Sequence, residues 1–134
     1  MCPEDVVARA RAAVGAPFRP QGRSARQGLD CVGLAGLALG LQGLPTGYRL
    51  RSSDSARASA ALEKVGLAKI APKLAGAGDL LLVAPALTQL HLLVLTKGGF
   101  VHADASLRRV VEVPGPVPWR IVSAWRWGST GKES

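Results

Sequence analysis

Cys31 is the residue of this chain best placed for covalent chemistry. It follows Asp30 at the start of a strongly apolar run from Cys31 to Leu41, and the only other cysteine, Cys2, sits at the chain end. The thiolate is the reactive form of cysteine, and a helix N-terminus favours it through unpaired N–H groups and the positive end of the helix dipole. The same N–H groups can hold a developing oxyanion. Taken alone, Cys31 reads as a small core hydrophobe, because free cysteine is among the most buried residue types. The two histidines change that reading.

His91 and His102 are the only histidines, and Lys97-Gly98-Gly99 between them signals a hairpin. A two-residue turn at Lys97-Gly98 sets Thr96 against Gly99 and Leu93 against His102. His91 then shares a sheet face with His102, and the two rings are diagonal neighbours, about 7–8 Å apart at the backbone and closer at their tips. A turn at Gly98-Gly99 preserves the shared face, whereas a three-residue loop separates the two rings. On one face, one imidazole can take the thiol proton while the other fixes its tautomer. Cys31, His91, His102 and Asp104 also make a mixed donor set for a metal, but their spacing matches no zinc pattern and no C-x-x-C pair exists. No metal or cofactor is expected.

The elements that must position these residues follow from periodicity. Residues 4–14 read as a first helix, ended by Gly15 and Pro17. Residues 15–28 read as a loop. A buried central helix runs from about Asp30 to Leu41, apolar on nearly all faces, with Gly33, Gly36, Gly40 and Gly43 in one stripe where a sheet is expected to pack closely. A third helix is expected over residues 54–65, with Ser53 or Asp54 as its cap. Strands follow at residues 80–83, 90–96, 99–103, 109–113 and 121–126. The expected fold is therefore α+β, with N-terminal helices packed on a C-terminal antiparallel sheet of about five strands. Residues 1–128 form one domain, and 129–134 are expected to be a disordered tail.

The chain has 134 residues and is 48% hydrophobic, enough for one domain with a real core. Its 17 Lys and Arg against 9 Asp and Glu give a net charge of +8, which draws it to polyanions. The basic residues are scattered and aromatics make up only 4% of the chain, so a specific nucleic-acid surface is not expected. The N-terminus is acidic where a secretory signal would be basic and then apolar, so synthesis in the cytoplasm without a signal peptide is expected. The longest apolar run is well short of the roughly 20 residues that span a bilayer, so no membrane span is expected.

Gly28-Leu29-Asp30-Cys31-Val32-Gly33-Leu34 resembles the nucleophile motif of NlpC-type cell-wall cysteine peptidases. Gly78-Asp79-Leu80-Leu81-Leu82 resembles their first core strand, Leu90-His91-Leu92-Leu93-Val94 the strand of the catalytic histidine, and Phe100-Val101-His102-Ala103 the strand of the third, polar member. Gly15 to Gly22 and Ala124-Trp125-Arg126 are most similar to the branch found in phage tails and gene transfer agents. The resemblance implies a papain-like domain that cuts the stem peptides of peptidoglycan, usually between D-glutamate and a diamino acid. It implies that Cys31 is the nucleophile, His91 the base and His102 its orienter, with Asp30, Phe18 and Tyr48 near the substrate. It further implies a thioester acyl-enzyme, other tail or baseplate proteins as partners, and action in the periplasm from a virion or tail particle. Three features depart from the family pattern: Phe18 stands where a tyrosine is common, Val32 where a serine is common, and leucines follow His91 where Val-Gly-Ile is common. A catalytically weak structural tail protein that keeps the fold is the alternative.

Overall fold

Helix α1 spans Pro3–Ala12. Proline at the first helical position gives up no hydrogen bond, since that N–H has no intrahelical partner. Glu4 and Asp5 in the first turn and Arg9 and Arg11 in the last complement the helix dipole. Val6 and Ala10 face the core, and the Arg9 Nε donates to the Ala38 carbonyl at 2.9 Å, tying α1 to the far end of the central helix. The computed structural model describes residues 2–41, 50–51, 53 and 55–127. Tyr48, Gly43, the Asp54 cap and the tail at 129–134 lie outside the described residues.

The stretch expected as a plain loop is more ordered than that. Strands β1 (Arg23–Ser24) and β2 (Gly28–Leu29) form a small antiparallel ladder. The segment before them is laced to its neighbours by backbone bonds. Phe18 N–H donates to Arg108 O at 2.9 Å, Leu29 N–H to Pro17 O at 2.9 Å, and Arg19 N–H to Leu29 O at 3.1 Å. This lacing fixes the approach to the central helix.

Helix α2, Cys31–Leu39, is that central helix, and seven of its nine residues are buried. Asp30 caps it, with its carboxylate accepting from the Gly33 N–H at 2.8 Å. Gly40, at φ 71, ends it in a left-handed cap. The glycine stripe therefore does different work from that expected. The close neighbour at Gly33 is the loop and not the sheet, for a Cβ there would collide with the Gly22 carbonyl. Helix α3, Ser55–Lys64, has no fully buried residue and lies at the periphery.

Six strands make the main sheet: β3 (Leu67–Ile70), β4 (Leu80–Ala86), β5 (Gln89–Thr96), β6 (Gly99–Asp104), β7 (Arg109–Pro114) and β8 (Arg120–Trp127), in the order β3-β8-β4-β5-β6-β7. All neighbours are antiparallel. The expected five are present, and β3 is added as an edge strand on β8. The core lies between this sheet and α1 and α2, with Leu34, Ala38, Leu82, Val101 and Trp125 fully buried. Asp79, buried at the start of β4, is held by the Arg126 guanidinium through bonds of 3.0 and 2.9 Å, which ties β4 to β8. Among the described residues, no helix is long and apolar enough to cross a membrane.

Candidate active site

The turn between β5 and β6 sets the site. Thr96 pairs with Gly99, Leu95 with Phe100 and Val94 with Val101, the register of a two-residue Lys97-Gly98 turn. His91 and His102 consequently meet on one face. Their rings lie edge to face, with centroids 5.2 Å apart, and His91 Nε2 is 3.0 Å from His102 Nδ1. That contact uses one nitrogen of each ring and carries one proton. His91 keeps Nδ1 for another partner, and His102 keeps Nε2.

His102 Nε2 points toward Asp104 Oδ2 at 3.8 Å. The other oxygen of Asp104 is taken up locally. Oδ1 accepts from Ser106 N–H at 2.9 Å, Ser106 Oγ at 3.1 Å and Leu107 N–H at 3.1 Å. Trp119 packs against both imidazoles, with centroids 5.9 Å from His91 and 5.3 Å from His102. Phe100 completes the aromatic wall behind them.

Across from this wall stands the start of α2. Asp30 is bound on three sides: Oδ1 accepts from Gly33 N–H and from Arg23 Nη1 at 2.9 Å, and Oδ2 accepts from Gln21 N–H at 2.8 Å. Gln21 is held there at φ 63, a left-handed conformation unusual for a non-glycine residue. Cys31, half-buried, opens on a cleft of about 460 Å³ whose walls include Asp30, His91, His102, Asp104 and Trp119. The structure thus brings Cys31, His91, His102, Asp30 and Phe18 around one cavity. Tyr48, the remaining expected contact, falls outside the described residues.

The electrostatics differ from the expectation at Cys31. Burial pushes its thiol up to about 12, and the Asp30 charge works in the same direction. The backbone N–H groups of Leu92 and of Cys31 itself pull the other way and are outweighed. Desolvation therefore beats the helix terminus, and the resting sulfur is a neutral thiol. Burial likewise pushes His91 down to about 4, helped by the neighbouring His102 and opposed by Asp104. Burial lowers His102 as well, again opposed by Asp104. At neutral pH these shifts favour a protonated thiol and a neutral His91 imidazole.

Sequence reasoning missed three participants in this geometry. Trp119 is one of only three tryptophans, but nothing in its spacing links it to the histidines, because the link is a long-range loop placement. Arg23 and Gln21 lie in the stretch read as loop, where only the packing of that loop on Asp30 gives them meaning. Among the described residues no group of three or more His, Cys, Asp or Glu side chains is disposed to hold a metal ion.

The site thus sets a cysteine at a helix start and a histidine pair on an antiparallel sheet around one cleft. No protein-family model and no curated protein matches the chain. Solved structures do match. The NlpC/p60 domain of the peptidoglycan hydrolase SagA is 25% identical over 85% of this chain and 90% of its own, with a TM-score of 0.60. NlpC2 from Trichomonas vaginalis, 16% identical, superposes over 93% of this chain and 46% of its own, with a TM-score of 0.68. RipD from Mycobacterium tuberculosis, described as a non-catalytic NlpC/p60 domain protein adapted to peptidoglycan binding, is 25% identical over 92% of this chain and 95% of its own, at a TM-score of 0.57. The chain has the NlpC/p60 fold, the papain-like α+β arrangement expected from its motifs.

Proposed function

We propose that this protein is a cysteine peptidase that cuts the stem peptides of peptidoglycan. The observation that carries the reading is the 3.0 Å His91–His102 contact in the same cleft as Cys31. With its Nε2 proton shared with His102, His91 offers Nδ1 as a base. The Cys31 sulfur attacks the scissile carbonyl as its proton passes to His91. The N–H groups of the first turn of α2 stabilise the oxyanion. His91 returns the proton to the leaving amine, leaving a thioester on Cys31. Water, deprotonated by His91, hydrolyses the thioester and restores the thiol.

We further propose that the bond cut joins D-glutamate to a diamino acid, and that the protein works in the periplasm from the tail of a phage or gene transfer agent, beside other tail or baseplate proteins. The resemblance of Gly15 to Gly22 and of Ala124 to Arg126 to that branch supports the second point. The second reading is a wall-binding or structural tail protein without turnover. Phe18, which lacks a hydroxyl, favours it. Digestion of purified Gram-negative peptidoglycan by wild type and by Cys31→Ala, with fragments identified by mass, separates the two. New peptide termini made by wild type alone establish the peptidase and name the bond. No release by either, where a control enzyme cuts, leaves the non-catalytic reading.

A further inference from the structure

The mechanism needs a particular tautomer. For His91 to present an unprotonated Nδ1 to Cys31, its own proton must sit on Nε2 and be donated to His102 Nδ1. His102 must then carry its proton on Nε2. If His102 were protonated on Nδ1 instead, it would donate to His91 Nε2, the His91 proton would move to Nδ1, and the base would be blocked. Nothing within the histidine pair decides between these two states, because the contact can run in either direction.

A third group breaks the symmetry. Asp104 turns Oδ2 toward His102 Nε2 at 3.8 Å, while Oδ1 is anchored by three donors from Ser106 and Leu107. An ionised carboxylate accepts and never donates, so its charge favours an N–H over a lone pair at His102 Nε2. Resting on the peptidase reading, we infer that Asp104 is a positioning residue that selects the His102 tautomer and, through it, the base form of His91. The 3.8 Å separation is too long for a hydrogen bond and lies at the outer edge of ion-pair range. It suits a contact that tightens as the Cys31 proton arrives and the imidazole pair becomes cationic. Among the described residues lining the cleft, the titratable and charged groups beside the pair are Asp104 from β6, Cys31 and Asp30 from the α2 wall, and Arg23 from β1. Asp104 is the carboxylate nearest the rings by the contacts above.

Asp104→Asn is the informative variant. The Asn side-chain oxygen can still accept the turn bonds of Ser106 and Leu107, which places an NH2 donor before His102 Nε2 and favours the wrong tautomer. Long-range ¹H–¹⁵N correlation on histidine-labelled protein reads the tautomers without substrate. Wild type is expected to show His102 protonated on Nε2, and Asp104→Asn to show it protonated on Nδ1. The plateau of kcat/KM should fall about tenfold, the worth of one pKa unit of interaction, through kcat and not KM. The acid limb should move to lower pH, since the lost carboxylate no longer favours the charged imidazoles. Asp104→Glu should restore part of the rate and the wild-type tautomer. A wild-type His102 protonated on Nδ1 overturns the inference whether or not any variant folds. So does an Asp104→Asn protein whose tautomers and acid limb match wild type. A tautomer switch in a protein that cuts no peptidoglycan upholds the positioning role and overturns the peptidase reading instead.

Discussion

The two walls of the cleft are built by different means. The α2 wall is fixed through backbone: Asp30 accepts from the N–H groups of Gly33 and Gln21, and Gly33 lies against the Gly22 carbonyl with no room for a Cβ. The sheet wall is fixed through side chains, by the His91–His102 contact, the Asp104 carboxylate and the Trp119 ring. The backbone N–H donors of the α2 wall do not titrate, and a single carboxylate accepts from them. Side-chain bonds between imidazoles depend on where the protons sit. On the proposed mechanism the nucleophile needs an invariant position and the base a proton inventory that can change, and the two constructions match those two tasks.

Replacing His91 by Gln makes the comparison sharpest. Loss of the base should lower kcat by about 10³-fold, read as release of peptide termini from peptidoglycan, with no loss of thermal stability at pH 7. The pH dependence of stability should change as well. In the unfolded chain His91 titrates near 6.5, and in the folded protein at about 4. Between those values the unfolded state binds the extra proton, so wild-type stability falls as pH falls from 6.5 toward 4 and levels below it. His91→Gln removes that loss, and its Tm should decline less over the same window. A Tm at pH 7 that falls with the rate would mean that the sheet wall is structural too.

The opposite wall should respond in the opposite way. Gly33→Ala drives a methyl group against the Gly22 carbonyl, and a backbone neighbour cannot rotate aside. Overpacking of this kind costs about 1–3 kcal/mol, seen as a lower urea midpoint. The residual folded protein should keep the His91–His102 contact, observable in the histidine spectrum. A Gly33→Ala protein as stable as wild type would show that the loop gives way freely, and that the α2 wall is less fixed than its contacts indicate.

These walls were not equally legible in the sequence. The β5–β6 hairpin was legible at Lys97-Gly98-Gly99, where both two-residue turns put the histidines on one face, and the pairing of Thr96 with Gly99 selects between them. The helix start at Asp30-Cys31 was legible too: a capping residue before an apolar run is a local signal. β3 was not, because four residues with two of them exposed carry no pattern until β8 offers an edge. The partner of Gly33 was misassigned to the sheet, since a stripe of small residues tells that something approaches but not what. A helix terminus is visible in sequence, whereas the desolvation that outweighs it at Cys31 comes from strands far along the chain.

The smallest effect, and the one that tests the division within a single side chain, belongs to Asp30. Its carboxylate caps α2, holds the Gln21 backbone and pairs with Arg23, and its charge also disfavours a thiolate on Cys31. Asp30→Ala should therefore cost about 1–2 kcal/mol, the upper range for a lost N-cap, read from a urea midpoint. Asp30→Asn, which keeps one acceptor oxygen for Gly33, should cost less. Reactivity should move the other way. Removing the anion beside Cys31 favours the thiolate, so alkylation of Cys31 by iodoacetamide, expected to be slow in wild type at neutral pH, should rise at a lower pH in Asp30→Asn. If stability and alkylation fall together, the carboxylate serves the nucleophile's charge as well as its position, and the α2 wall is not the purely mechanical support that its backbone bonds describe.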